Sequence, residues 1–574
     1  MAVSTSTRTD ASPTGGAPPE VLAARPFLRW GLTSYLVTVG LMVVAILIWL
    51  DGHLVYVLDD PAIHLSVADN LVHHGTWGVA PGEFQSASSS PLWTVLLAAA
   101  LVVSGPFAAW TPLVLNVAAG AAAVWVLAQA PASVSPGRRR PLDALTTVVL
   151  VVVVLFLPGL TVVGMEHTLH VALVLAAVLC VDRWVKGDHG TRPWVLDAVV
   201  VAATLTRFET AFVALGLAAA LLIAHPDRAE VDPLDEGDAP ASDPDRTDRR
   251  FRRLRAVAVL AAAGIPIVAF GVLNKALGGG WLPNSVLAKG QVTDDSESGM
   301  GPVDIVNRLT NDPLLAALFG LAVAYLVVRG VRGRAAAPAI VLAVAAPVHA
   351  ALADIGWYER YQGYLVAVGV YLVLAVLAEV PTHLRRRALA LVCVLGLLFG
   401  TIKLSLLVWA PLAADDMYRQ QYQAGLFLER FYDGSAVATD QLGYISYFHD
   451  GPITDFAGLG DREVLEAPAE QPREEQWADL AAERGFRVVV LYDLSAAFTV
   501  PEDWVRAGEW HIGSEPVTGV SQELQFYATT TDEIEPLQDH LREFEADLPA
   551  RTELVLNENA ALQGMHLDEQ AEDR

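Results

Sequence analysis

Long apolar runs are the feature that most constrains the fold of this 574-residue chain. About 11 runs approach the length of about 20 residues that an α-helix needs to cross a bilayer. Hydrophobic residues make up 53% of the chain and charged residues only 18%, which is too apolar for an ordinary soluble enzyme. We therefore expect a mostly α, polytopic membrane protein with about 11 transmembrane helices, formed by 32–50, 110–130, 142–160, 168–184, 194–206, 209–224, 256–273, 313–328, 335–352, 362–380 and 388–409.

The distribution of Lys and Arg predicts the orientation of these spans. Arginines precede the first run, and no Lys or Arg follows Trp30 until Arg138. By the positive-inside rule the N-terminus is cytoplasmic. The cluster at 138–140 and all later clusters then face the cytoplasm, provided that the shorter apolar run 91–104 lies along the outer surface. The C-terminal part of the chain is expected outside.

Composition divides the chain further. The polar, Pro/Gly-rich start indicates a disordered tail, and the apolar run after it has no small-residue cleavage site, so we expect an uncleaved span. The net charge of −26 argues against nucleic acid as a partner, and two cysteines exclude a disulfide framework. The predicted organisation is a cytoplasmic tail (1–30), a transmembrane catalytic domain (31–410) with a first outer loop carrying juxtamembrane helices (51–109) and an acidic cytoplasmic loop (225–254), an extracytoplasmic α/β domain (411–560) and a disordered tail (561–574).

The segments expected on the outer side contain most of the unusual polar residues. Asp59 and Asp60 precede Pro61, which suits the first turn of a helix, and that helix would carry an apolar stripe for the bilayer surface. The pair is therefore either a capped interfacial helix start or a reactive acid pair. Glu166 begins an apolar span, where an acid is costly unless it faces a polar cavity, although it also suits a simple helix cap.

Cationic residues accompany these acids in three further segments. Arg207 and Glu209 interrupt two short runs and form either a structural ion pair or a lining for an anionic ligand. Lys289, in "LPNSVLAKG", is either a snorkelling anchor or a phosphate contact. In "ADIGWYERYQGYL" an interfacial aromatic belt explains Trp357, but it does not explain Arg360.

The order of these segments resembles that of membrane glycosyltransferases of the GT-C class. The segments "DDPAIHLSVADNL", "GMEHTLH", "LTRFETAF", "LPNSVLAKG" and "WYERYQGYL" are most similar to actinobacterial terminal arabinofuranosyltransferases that use polyprenyl-phosphate donors. The resemblance covers most of residues 45–365. Phe208 stands where those relatives have a proline, and "DIGWYER" departs from their Gly-Asp-Trp/Phe pattern.

The resemblance implies a GT-C-like fold and an inverting transfer of a sugar to a cell-envelope glycan on the extracytoplasmic face. It implies that Asp60 or Asp59 is the general base, with Asp60 favoured, and that the other aspartate and Glu166 position acceptor hydroxyls. Asp59 and Glu166 are also the ligands for a divalent cation, Mg²⁺ or Mn²⁺, if the reaction uses one. The expected partners are the lipid-linked donor, a glycan acceptor and the bilayer. The expected substrate-binding residues are His64, Arg207, Glu209, Asn284, Lys289, Trp357 and Arg360.

Two rival interpretations predict different behaviour. A polytopic transporter of a lipid-linked or small polar substrate would also carry polar residues among many spans, but they would gather at the membrane midplane and often in inverted repeats. A structural membrane protein would lose nothing when Asp59 and Asp60 are replaced. The sequence identifies neither the sugar and the acceptor nor the oligomeric state.

Overall fold

The chain is described here by a computed structural model that is mostly helical. It describes residues 19–130, 141–188, 190–225, 244–287, 301–467, 472–492, 500–518 and 521–572. The expected tail 1–30 and loop 225–254 are therefore described only in part. Where they are described, helices occupy residues 19–30 and 244–254, so both segments are shorter than predicted.

The helices follow the apolar runs and several begin with proline, whose missing N–H is tolerated in the first turn. In chain order they are Pro19–Trp49, Asp60–His73, Pro91–Ser104, Thr111–Leu127, Pro141–Val148, Leu157–Val162, His167–Val185, Pro193–Thr206, Thr210–Ile223, Pro244–Ala276, Pro302–Asn311, Pro313–Arg329, Ala336–Leu352, Gly363–Glu379, Thr382–Phe399, Thr401–Met417, Gln423–Tyr432, Leu442–Phe448, Arg462–Leu465, Arg473–Arg484, Thr531–Phe544 and Ala560–Glu572.

The protein is a multi-pass membrane protein. Among the described residues, six helical segments are long and apolar enough to cross a membrane: Pro26–Trp49, Phe107–Leu127, Pro141–Val162, His167–Val185, Asp248–Ala276 and Pro313–Arg332. The shorter apolar helices have 14 to 17 residues and rise only about 21–26 Å, less than the hydrocarbon core of about 30 Å. These shorter helices are Pro91–Ser104, Pro193–Thr206, Thr210–Ile223, Ala336–Leu352 and Gly363–Glu379.

The last apolar run, 388–409, was predicted as one span, and the structure divides it between two helices. The chain bends by 57° between the helix that ends at Phe399 and the helix that begins at Thr401. The bend lies at Gly400, where a Cβ would collide with the Val153 side chain. In the first turn after the bend, the Lys403 ammonium is buried and lies 3.4 Å from the Glu359 carboxylate, which pairs its charge.

The run 91–104 forms a helix that packs against the helix Asp60–His73. Trp93 and Leu97 of one helix and Leu65 and Ala68 of the other are buried together. This contact fixes the helix that begins with the acid pair. The expected orientation of the run along the outer surface, and with it the topology of the termini, stays a prediction.

The C-terminal part contains a six-stranded mixed sheet with the order β2-β1-β3-β5-β4-β6. β1 pairs in parallel with both β2 and β3, whereas the other pairings are antiparallel. Trp510 and Phe526 are buried on one face of the sheet with Phe427 and Phe544 from its helices. The strands are Val437–Thr439 (β1), Ile453–Asp455 (β2), Val488–Tyr492 (β3), Val505–His511 (β4), Glu523–Ala528 (β5) and Glu553–Leu556 (β6).

The end of the chain is more ordered than expected. The segment 561–574 was predicted to be disordered, but the structure continues the helix Ala560–Glu572 through most of it. Ala560 is fully buried, and Gly564 lies against Ile534, so this helix packs on Thr531–Phe544. Because this helix has few apolar residues, no helical pattern was recognised in its sequence.

Candidate functional site

A cavity of about 860 Å³ lies between one end of the helical bundle and the C-terminal sheet. The bundle contributes the start of the helix Asp60–His73 and the loop 354–362. The C-terminal part contributes the segments that follow β1 and β2. The charged residues that line the cavity are Asp59, Asp60, Arg308, Asp312, Asp354, Glu359, Arg360, Lys403, Asp440 and Arg473.

Asp60 and Arg360 form a two-pronged ion pair at the wall of this cavity. The Arg360 Nη1 atom donates to Asp60 Oδ2 at 3.0 Å, and Nη2 donates to Asp60 Oδ1 at 3.1 Å. Arg360 is buried, whereas the Asp60 side chain remains 26% exposed. The guanidinium also lies 5.0 Å from the Tyr361 ring centre. A fork of this kind fixes the orientation of the carboxylate and presents it to the cavity.

The neighbouring Asp59 has different partners. Its two oxygens accept hydrogen bonds from the main-chain N–H groups of Gly443 and Tyr444, at 2.7 and 2.9 Å. These amides belong to the first turn of the helix Leu442–Phe448, whose positive end favours an anion. Burial nevertheless raises the pKa of Asp59 to about 7, and the nearby charge of Asp60 adds to this. Asp59 thus joins the C-terminal domain to the bundle.

A second polar cluster surrounds Glu166. Arg207 donates to Glu166 at 2.6 Å and to Glu209 at 2.5 Å, so the predicted structural ion pair between Arg207 and Glu209 is present and extends to Glu166. His64 Nε2 lies 3.6 Å from the Glu166 carboxylate. Burial alone would raise the pKa of Glu166, but Arg207 and His64 hold it below its usual range.

The two clusters are neighbours at the same end of the bundle. Arg360 Nη1 lies 2.7 Å from the sulfur of Met165, the residue before Glu166. Tyr361 lies between the two arginines, with its ring centre 5.8 Å from the Arg207 guanidinium. The structure therefore brings together the acids and arginines that the sequence placed in separate segments.

Three predicted substrate-binding residues lie outside these two clusters or outside the described part of the chain. Trp357 lines the cavity and is 56% exposed. Asn284 is buried in a separate cavity of about 510 Å³, where its main-chain N–H donates to the carbonyl of Ser86. Lys289 lies outside the described residues.

Several residues at the cavity were missed. Lys403 is buried and pairs with Glu359. It could have been recognised from the sequence, because it is a charged residue inside an apolar run. Gln362 is fully buried and donates to Asp312 and Glu359. Asp440 lines the cavity from the C-terminal domain. No local pattern distinguishes Gln362 and Asp440, because their partners are distant in the sequence.

The predicted ligands of a divalent cation are occupied by N–H donors. Asp59 accepts from two amides and Glu166 from Arg207, which are partners of an anion rather than of a metal-bound carboxylate. In the described part of the chain, one group of three side chains has the spacing of a metal site, namely Glu509, His511 and Glu523 on β4 and β5. A Mg²⁺ or Mn²⁺ requirement stays a prediction.

Comparisons with known proteins support the architecture. A domain of unknown function, DUF8728, matches residues 413–530. No curated protein sequence matches the chain. The crystal structure of ArnT from Cupriavidus metallidurans bound to undecaprenyl phosphate is 13% identical, with a TM-score of 0.50 over 86% of this chain and 98% of that chain. The Archaeoglobus fulgidus oligosaccharyltransferase, tethered to an acceptor peptide, is 12% identical, with a TM-score of 0.44 over 92% of this chain and 77% of that chain.

The predicted architecture is therefore confirmed as a mostly α, polytopic, GT-C-like unit with a small C-terminal α/β domain. At this identity the likeness to ArnT is a likeness of fold. Function has to be argued from the side chains at the cavity.

Proposed function

We propose that this chain is a membrane glycosyltransferase that transfers a sugar, with arabinofuranose as our specific candidate, from a polyprenyl-phosphate donor to a cell-envelope glycan. One observation carries the proposal: Asp60, fixed by Arg360, opens onto a cavity of about 860 Å³ in a fold similar to that of ArnT. Cavities of roughly 300–1,000 Å³ suit small-molecule substrates. The reaction takes place on the extracytoplasmic face.

Asp60 is the general base in this proposal. The acceptor hydroxyl attacks the anomeric carbon of the donor while Asp60 removes its proton, and the bond between that carbon and the phosphate oxygen breaks on the opposite side. The electron pair of the broken bond leaves with the lipid phosphate. Attack from the side opposite the leaving group inverts the anomeric configuration.

Arg360 links donor binding to the strength of this base. A carboxylate that shares two hydrogen bonds with a guanidinium is a weak base. The donor phosphate competes with Asp60 for Arg360, and Asp60 becomes more basic as that contact loosens. Lys403, on the same cavity, adds positive charge for the leaving phosphate. Glu166 and its partners Arg207 and His64 support the wall behind Arg360, and Glu209 also pairs with Arg207.

The test is release of polyprenyl phosphate by the purified protein. The protein is incubated with polyprenyl-phosphate pentoses and hexoses and with a glycan acceptor, and the released lipid is quantified. Asp60→Asn is expected to lower kcat at least a hundredfold, because an amide cannot accept the proton. The matched control is Asp69→Asn, which makes the same change on a half-exposed aspartate of the same helix.

Two outcomes would contradict the proposal. Wild-type protein that releases no polyprenyl phosphate from any donor would favour a transporter. An Asp60→Asn variant with nearly normal turnover would remove Asp60 from the role of base.

A further inference from the structure

The carboxyl ends of two parallel strands open onto the cavity that contains Asp60. β1 ends at Thr439 and is followed by Asp440, and β2 ends at Asp455 and is followed by Phe456. Asp440 and Phe456 both line the cavity. In parallel sheets, ligands bind in the crevice outside the carboxyl ends of the strands. The sheet therefore presents its binding edge to the proposed reaction centre.

Asp440 lies at this edge, and one of its carboxylate oxygens is available to accept a hydrogen bond. The residue is only 5% exposed, and its Oδ1 atom accepts from the main-chain N–H of Tyr492 at 3.3 Å. Within the described part of the chain its Oδ2 atom has no hydrogen-bond partner. Burial raises the pKa of Asp440 to about 7. A buried carboxylate with an unused oxygen is costly for folding, which points to a role in binding.

Asp59 fixes this edge relative to Asp60. Its carboxylate accepts from the N–H groups of Gly443 and Tyr444, three and four residues after Asp440. The hydroxyl of Tyr444 in turn accepts from the main-chain N–H of Tyr56. The approach leaves no room for a side chain at position 443, because a Cβ there would collide with the Asp59 carboxylate.

We propose that the carboxyl edge of β1 and β2 binds the hydroxyl groups of the glycan acceptor, with Asp440 as the hydrogen-bonding residue and Asp59 as the residue that positions this edge beside the base. The inference rests on the proposed function and names a binding surface for its acceptor. The donor enters from the bundle side of the cavity, whereas the acceptor is held from the sheet side. Asp440 acts on the acceptor alone.

Acceptor binding without donor provides the test. The purified full-length protein in detergent is titrated with four octyl disaccharides, which carry arabinofuranosyl, galactofuranosyl, mannosyl or glucosyl residues, and binding is followed by saturation-transfer NMR. Wild-type protein is expected to bind at least one of them. Asp440→Asn is expected to raise the Kd of that disaccharide at least tenfold and to leave the affinity for polyprenyl phosphate unchanged.

Two further variants separate binding from folding. Asp450→Asn changes an exposed aspartate of the same domain and should bind like wild type. Gly443→Ala places a methyl group against the Asp59 carboxylate and so disrupts the contact between Asp59 and the sheet edge. This variant should weaken disaccharide binding in the same way as Asp440→Asn. A purely structural Asp440 would lower thermal stability when replaced, whereas we expect the stability of Asp440→Asn to be unchanged or higher.

The inference is overturned if Asp440→Asn binds the disaccharide as tightly as wild type, or if wild type binds none of the four. Neither result depends on turnover. Failure of the proposed function would show differently, as absence of polyprenyl phosphate release from every donor.

Discussion

Adjacent aspartates show how far a single residue can be interpreted from sequence. The pair at 59 and 60 stood out, but its two members could not be assigned separate roles. Asp59 bonds to amides more than 380 residues later, and Asp60 bonds to Arg360, 300 residues away. Neighbouring side chains at a helix start point in different directions, so each finds its own partner. Only the tertiary contacts assign Asp60 to the cavity.

Substitution of Arg360 tests the two-pronged ion pair with Asp60. Replacing it by Lys should lower kcat/KM about ten- to a hundredfold, since one charge-assisted hydrogen bond is worth about 1.5–3 kcal/mol and an ammonium cannot form the paired geometry. Initial rates over a range of donor concentrations measure the effect. Arg332→Lys, at an exposed position, is the control. Equal kcat/KM for Arg360→Lys and wild type would show that the reaction does not need the two-pronged ion pair between Arg360 and Asp60.

Glu166 and Arg207 lead to a prediction about stability. Arg207→Met should destabilise the protein by about 3–5 kcal/mol, because Glu166 would remain buried without its main counterion. The double variant Glu166→Gln/Arg207→Met should recover at least half of that loss. Thermal unfolding in detergent measures both. A double variant that is less stable than Arg207→Met would show that Glu166 has other partners of equal weight.

At the scale of elements, apolar runs predicted helices well because the bilayer demands about 20 apolar residues in a regular backbone. The break at Gly400 and the C-terminal helix Ala560–Glu572 were not predictable. The first depends on an ion pair of Lys403 with a distant loop, and the second on packing against another helix. Both features are decided by contacts rather than by composition.

The backbone conformation of the loop after the helix Ala336–Leu352 could not be predicted from any sequence pattern. Four successive residues, from Gly356 to Glu359, have positive φ. Such a conformation costs roughly 1–2 kcal/mol for each residue other than glycine, so surrounding contacts must hold it. Arg360 follows at once, and the loop therefore determines where its guanidinium lies.

Gln362 is one of the residues that hold this loop. Its Oε1 atom accepts from the N–H of Gly356 at 2.9 Å, and its Nε2 atom donates to Asp312 and Glu359. Gln362→Ala should lower the free energy of unfolding by about 2–4 kcal/mol, since buried partners lose hydrogen bonds. It should also lower kcat more than tenfold. Thermal unfolding and donor turnover measure these effects.

An exposed glutamine provides the matched control for this change. Gln563→Ala, on the helix Ala560–Glu572, should alter neither stability nor turnover. If Gln362→Ala retained normal turnover, Arg360 would be positioned by other contacts than this loop.

For the whole molecule, the main surprise is that the C-terminal domain completes the cavity. The sequence predicted an extracytoplasmic α/β domain at 411–560 as a unit distinct from the transmembrane part. The structure places its segments beside the acid pair, through the contact of Asp59 with Gly443. Polar residues at such an interface have no periodic signal, because they match a surface contributed by another part of the chain.

This interface predicts how stability depends on pH. Burial raises the pKa of Asp59 and Asp440 to about 7 and that of Asp455 to about 6, compared with about 3.9 for an ordinary aspartate. Between about pH 4 and pH 7 the unfolded chain has released these protons while the folded chain retains them. The contribution of these three carboxyl groups to the free energy of unfolding should therefore fall as the pH rises through this window. Burial lowers the pKa of His449, so this imidazole contributes with the opposite sign.

Thermal unfolding in detergent from pH 5 to pH 8 measures this dependence. We expect the Tm of Asp440→Asn relative to that of wild type to rise between pH 5 and pH 8, because the amide has no proton to release whereas Asp440 in wild type does. At pH 8 the variant should be more stable than wild type by about 1–3 kcal/mol, since one pKa unit corresponds to about 1.4 kcal/mol. Parallel curves for the two proteins would show that Asp440 is not protonated in the folded state. The same carboxylate would then be available to the acceptor at every pH in the range, and the pH profile of transfer would have to arise from Asp60 and the donor phosphate.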